Sequence, residues 1–194
     1  MDKKQFIQRL LVVLIFEAMV VISGFIYGVH FNSLKPGILI YWVDFFVGIA
    51  IFPLVALLTY KLPKKYFVMV IYFCFVSVFL GMILNYYMKF WWWDIFLHAN
   101  SGVFIAYFGY YFYDVMCNKF NQSINRFMAH IFVLLFVFAL AGLWEIYEFT
   151  VDSFFGLNSQ LGSLSDTMSD MIYGSIGGII VIVYYMVRDR IKIK

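Results

Sequence analysis

Residues 127–150 read FMAHIFVLLFVFALAGLWEIYEFT, with no Asp, Glu, Lys or Arg between Arg126 and Glu145. About 20 apolar residues in a helix cross the hydrocarbon core of a bilayer, and this stretch is long enough. Its apolar residues run on without the alternation of a membrane strand, so the backbone must satisfy its own hydrogen bonds as a helix. The stretch then ends on two glutamates, Glu145 and Glu148.

The same reading extends outward. Further apolar runs cover 6–29, 37–60, 66–88, 94–116 and 166–187, separated by charged or Pro/Gly punctuation. The chain is 64% hydrophobic and 23% aromatic over 194 residues, with mean hydropathy +0.89. Soluble domains hold roughly 45–50% apolar residues, so the solvent for this chain is lipid. We expect an all-α polytopic bundle of six transmembrane helices, forming a single integral membrane domain over 1–194. The first run is too long for the apolar part of a signal peptide, and no small-residue cleavage site follows it, so it reads as a retained helix. Cys74 and Cys117 are not placed for a disulfide and do not make a metal motif.

The basic residues set the orientation. Lys3, Lys4 and Arg9 lie at the first run, Lys61, Lys64 and Lys65 between the second and third, Lys119 and Arg126 between the fourth and fifth, and Arg188, Arg190, Lys192 and Lys194 beyond the sixth. Only Lys35 and Lys89 fall in the opposite connections. The positive-inside rule places both termini in the cytoplasm, in a cell (plasma) membrane, with Trp91, Trp92 and Trp93 at the outer interface. Basic residues confined to short connections give no reason to expect a nucleic-acid partner. The longest connection, 151–165, is polar and faces outside.

This orientation gathers acids at one face. Asp94 and His98 are four apart at the start of the fourth helix, Glu145 and Glu148 three apart near the end of the fifth, and Asp166 and Asp170 four apart at the start of the sixth. Such spacings place each pair on one helical face. Those faces continue into small residues: Gly102 and Ala106, Ala141 and Gly142, Gly174 and Gly178. Small residues mark close helix approach in membranes, so the three acidic faces are expected to point at one another. Two carboxylates about 4 Å apart repel by roughly 4 kcal/mol at an effective dielectric of 20. The sequence supplies no buried Lys or Arg on these helices, so protons or a divalent cation must neutralise the group. Oxygen ligands with one imidazole suit Mg, Mn, Ca or Zn, with His98, Glu145, Glu148, Asp166 and Asp170 as ligands. His98, Asp94 and Glu145 are the candidate catalytic groups. The plainer readings are helix capping for Asp94 and Asp166, a solvated loop acid for Asp152, and a hydrogen-bonded interfacial side chain for His98.

Other polar groups stand apart. Glu17 lies mid-run in the first helix and Asp44 about two turns into the second, where ionisable groups at depth are costly. His30 and His130 lie at opposite ends of their runs, which argues against a bis-histidine haem.

The motifs Trp93-Asp94-x-x-Leu97-His98, Trp144-Glu145-x-Tyr147-Glu148 and Gly162-Ser163-x-x-Asp166-x-x-x-Asp170, followed by Gly174, Gly177 and Gly178, resemble those of the VanZ-like membrane proteins, in particular their YjdF-type branch. The resemblance covers Trp91 to Val187. Asp170 stands where that family usually has Asn, and Glu148 near its usual Gln, so this site is the more acidic. The resemblance implies one shared polar site and assigns no reaction. There is no Gly-x-Ser-x-Gly elbow and no His-Glu-x-x-His.

Three functions follow from these residues. One is a metal-dependent enzyme acting on a lipid or lipid-linked envelope precursor. The second is a proton-coupled carrier or flippase using the same carboxylates. The third is a non-enzymatic protein whose acids bind a cation structurally. The oligomeric state leaves no mark on the sequence.

Overall fold

The computed structural model describes the backbone of residues 3–31, 38–156, 159–160 and 163–193; within these, the side chains of 4, 27–31, 38–45, 47, 192 and 193 fall outside the description. Lys35, Gly162 and the side chains of His30 and Asp44 therefore lie outside the description. Helices α1 (Lys3–Phe31), α2 (Ile38–Thr59), α3 (Lys64–Cys74), α4 (Tyr86–Lys89), α5 (Trp93–Lys119), α6 (Arg126–Phe155) and α7 (Leu164–Ile193) follow in order, with a π-helical segment, Phe75–Ile83, continuing α3. No strand occurs among the described residues. Gln5–Ile26, Lys64–Ile83, Arg126–Phe155 and Leu164–Ile191 are each long and apolar enough to cross a membrane, and Gly48–Thr59 of α2 is a shorter apolar stretch. Helix α5 has 27 residues but is less apolar, because Asp94, His98, Asn100 and Ser101 lie in its first turns. The chain is a polytopic helical membrane protein.

Two expected segments change. The run 66–88 does not form one helix. The chain leaves the π-helical segment, passes through Asn85 in the left-handed region (φ 60°), and forms the short α4. An Asn tolerates that backbone region better than other non-glycine residues. The tight return also needs Gly81, where a Cβ would lie 2.5 Å from the Tyr87 ring. The second change is α6, expected to end at 150, which continues to Phe155 and ends on Gly156 at φ 66°. Asp152 is thus a residue of the last helical turn and not of the loop.

The chain divides into two compact units, 1–93 and 94–194. In the first, Val13, Val20, Phe52, Phe67, Ile71, Cys74, Phe79 and Ile83 form the core, with Phe16 stacked on Phe52 at 5.1 Å. Arg9 is buried among them. Its guanidinium donates to the carbonyls of Thr59, Tyr60 and Leu62 at 3.0, 2.8 and 2.7 Å and lies 4.7 Å from the Phe67 ring centre. The last carbonyls of a helix have no intrahelical donor. Arg9 supplies one, joining α1 to the turn after α2.

In the second unit, Ala106 and Tyr110 of α5, Ala129, Val133 and Val137 of α6, and Val181 and Ile182 of α7 form one buried cluster. Towards the acidic end the helices come closer still. A Cβ added at Gly102 would overlap the carbonyl oxygen of Gly174, and one at Gly177 that of Ala99. Gly178 faces Val137, where an added Cβ would come within 2.6 Å of a methyl. The small-residue faces therefore do meet, and α5 and α7 touch backbone to backbone.

Gly102→Ala should lower unfolding stability in mild detergent by about 1–3 kcal/mol, the usual cost of overpacking. Gly142→Ala should stay within about 1 kcal/mol of the parent, because its Cβ would meet only the Met171 methyl, at 3.7 Å. Equal stability of the two variants would contradict the backbone contact.

Candidate acidic site

Helix α5 runs out from the acidic end, α6 returns to it, and α7 leaves it again. Asp94 and His98 thus share one end of the unit with Glu145, Glu148, Asp166 and Asp170. The basic residues gather at the other end, where Arg126 pairs with Asp114 at 3.2 Å and Arg188 with Asp189 at 3.1 Å. Among the described residues, no Lys or Arg forms an ion pair with the six acidic-end groups.

His98 is the centre. Its Nε2 lies 3.7 Å from Asp94 Oδ1 and 3.7 Å from Asp170 Oδ2. Both distances exceed a hydrogen bond. Asp94, His98 and Asp170 each offer one ligand atom, and these atoms lie within 4.8 Å of one another. A Zn-like ion with bonds of about 2.1 Å sets its ligand atoms roughly 3–4 Å apart, the range of the two distances from His98 Nε2. Asp170 is 2% exposed, and its Oδ1 has no hydrogen-bond partner. Asp170 also feels the charges of Asp94, Asp166, Glu145 and Glu148.

Glu145 is buried on α6 at 5% exposure, and neither of its oxygens meets a donor at bonding geometry, although Gln160 and Thr167 stand beside it. Asp166 Oδ2 is also buried without a partner. Glu148 differs, because Trp144 Nε1 donates to its Oε1 at 2.8 Å. The expected ligand set therefore divides. His98 and Asp170 form a tight trio with Asp94, which the spacing had marked for catalysis, while Glu145, Glu148 and Asp166 interact with it through their charge.

Several functional neighbours escaped the motif reading. Gln160 Nε2 donates to the Glu145 carbonyl at 3.3 Å and to Thr167 Oγ1 at 3.1 Å, tying the connection to both helices. Asp152 accepts the backbone N–H groups of Ser159 and Gln160 at 2.8 and 3.0 Å, which fixes that connection from the end of α6. The Ser163 hydroxyl accepts the N–H groups of Ser165 and Asp166. Ser163 is therefore the cap of α7, leaving the Asp166 carboxylate for the acidic site. The pattern Ser-x-x-Asp before an apolar run is a helix-start signal that pointed to this. Elsewhere, Glu17 Oε1 is buried without a partner in the first unit. His130 Nδ1 is 2.6 Å from the Tyr110 hydroxyl, at the basic end of the second. Cys74 and Cys117 are both free.

A helical membrane fold with an acid-rich end is the class these features define. Residues 8–190 match the family described as "Predicted membrane protein (DUF2238)", and the chain belongs to that family. A protein of Thermotoga maritima described as "Uncharacterized protein" is 31% identical over 119 residues, which cover 60% of this chain and 59% of that one. The chain thus aligns with less than two thirds of that relative's length. No solved structure matches it.

Ser163→Ala should lower stability by about 1 kcal/mol through loss of the cap. Amide exchange should speed up most in the first turn of α7. Unchanged exchange there would mean that Ser163 does not hold the helix start.

Proposed function

We propose that the acidic end of the second unit holds a divalent cation, with Asp94, His98 and Asp170 as ligands and Glu145, Glu148 and Asp166 completing the shell. One observation carries this reading: His98 Nε2 stands 3.7 Å from an oxygen of each aspartate, too far for hydrogen bonds and suited to a common ion. The buried, unpartnered oxygens of Asp170, Asp166 and Glu145 support it, since buried polar groups need partners. The donor set of carboxylates with one imidazole suits Mn or Zn as well as Mg or Ca.

The reaction class we favour is hydrolysis or group transfer on a lipid or lipid-linked envelope precursor. A bound cation supplies polarisation of a phosphoryl or acyl oxygen and a more acidic water. Glu145, buried with Gln160 and Thr167 beside its carboxylate, is the residue to accept a proton from an incoming hydroxyl. The basic connections support an orientation with both termini in the cytoplasm of a plasma-membrane protein and the site on the extracytoplasmic side. The VanZ-like, YjdF-type motifs support a relationship to that group through the second unit.

A proton-coupled carrier is the second reading, and the buried, unpartnered Glu17 Oε1 favours it. Against it stands the close packing below the acids. Ala106, Val133 and Val137 are fully buried, and the glycine contacts close α5 on α7. A site reached from one face suits an enzyme better than a path through the unit.

Elemental analysis of the purified protein decides between them. We expect about one divalent ion per chain in the parent and less than a fifth of that in His98→Ala and Asp170→Asn, both still folded. A metal-free parent with an acid-dependent flux would favour the carrier.

A further inference from the structure

His98 Nε2 is the atom at which two aspartates meet, 3.7 Å from Asp94 Oδ1 and 3.7 Å from Asp170 Oδ2. An ion bonded to both carboxylates therefore meets an imidazole nitrogen as well. Asp170 forms the inner wall of this trio. It is 2% exposed, one of its oxygens faces His98, and the other is buried without a hydrogen-bond partner. Side-chain exposure rises from Asp170 to 13% at His98 and 36% at Asp94, so the trio is most open on the Asp94 side.

The backbone holds the spacing. His98 and Asp170 each lie one turn from the contact of Gly102 with Gly174. A Cβ at Gly174 would itself lie 3.6 Å from the His98 carbonyl oxygen. Helices in backbone contact have little freedom to spread around a larger shell of ligands.

Donor type, ligand number and hydration then separate the candidate ions. Calcium takes about 6–8 oxygen ligands, and magnesium keeps several of its waters. Both are hard ions that favour oxygen, whereas imidazole suits the first-row transition metals. The trio offers one nitrogen and two carboxylates, and among the described residues it is the one group of three or more His, Cys, Asp or Glu placed to share an ion. Three protein ligands and one free position are the arrangement of catalytic zinc sites. The buried wall at Asp170 leaves little place for the waters that magnesium retains.

We propose that the ion at this site is a first-row transition-metal dication of the zinc or manganese kind, bound through His98 Nε2, Asp94 and Asp170 with one position open, and that magnesium and calcium are poor occupants. The proposal rests on the cation reading above and narrows it.

The test strips the full chain of metal in detergent and titrates it with Zn, Mn, Mg and Ca, with the unfolding temperature and a competing chelator as readouts. Zn and Mn should bind about a hundredfold or more tighter than Mg and Ca. His98→Gln replaces the imidazole by an amide oxygen donor. It should lower the Zn affinity about tenfold or more and leave the weak Mg affinity within about threefold. Co(II) added to the stripped parent should give the strong visible absorption of an ion with about four or five ligands, lost in His98→Gln. Asp94→Asn, at the more exposed position, serves as a second variant where His98→Gln does not fold, and should lower the Zn affinity similarly. Mg or Ca binding within about tenfold of Zn, and weakened in Asp94→Asn, would overturn this proposal and leave the cation reading standing. Failure of all four ions to bind, or Zn binding unchanged in both variants, would overturn both.

Discussion

The backbone contact between α5 and α7 is the constraint on which the second unit depends. Gly102 against Gly174, and Gly177 against Ala99, leave no room for even one methyl. Within a bilayer, lipid tails are as apolar as the side chains, so helices gain little by hiding apolar surface from one another. Close van der Waals fit takes over that role, and only glycine permits it here. One helical turn towards the acidic end, the same faces carry His98 and Asp170. Helices held this close leave those two side chains, and Asp94 one turn further out, no option but to converge. The packing that stabilises the unit also forces its least comfortable charges together.

That convergence has an electrostatic cost that the rest of the unit arranges to meet locally. Asp166 would ordinarily serve as a cap, but Ser163 takes that task. Asp152, a turn beyond Glu148, turns to the connection and accepts two backbone N–H groups. Trp144 serves Glu148. What remains is one buried oxygen of Asp170, one of Asp166, and the Glu145 carboxylate, whose neighbours Gln160 and Thr167 stand outside bonding geometry. Buried acceptors without a donor are costly, and three residues at this end of the unit carry them.

Much of this was legible in the sequence, for identifiable reasons. Uninterrupted apolar runs announce membrane helices because the bilayer imposes a length. The four-residue steps from Asp94 to His98 to Gly102 and from Asp170 to Gly174 to Gly178 announce a buried face because helical periodicity is fixed. The π-helical segment and the reversal at Asn85 were not legible, since 66–88 is apolar throughout most of its length and the break depends on Tyr87 folding over Gly81. The extension of α6 past Thr150 was hidden by polar residues that look like a loop. The bond from Gln160 to the Glu145 carbonyl spans fifteen residues and has no local signature. Which acids form the inner trio depended on side-chain geometry, and Asp94 moved into it on that ground alone.

The direction of access follows from the same packing. Below the acids, Ala106, Val133 and Val137 are fully buried, and Gly178 meets Val137 without a gap. At the far end Tyr110 and Tyr185 stack at 4.2 Å, with Arg188 over the Tyr185 ring. A solute passing along this unit would have to part both layers. At the acidic end, by contrast, a groove lined by Glu145, Ile146, Phe149 and Leu164 opens at the surface of the unit.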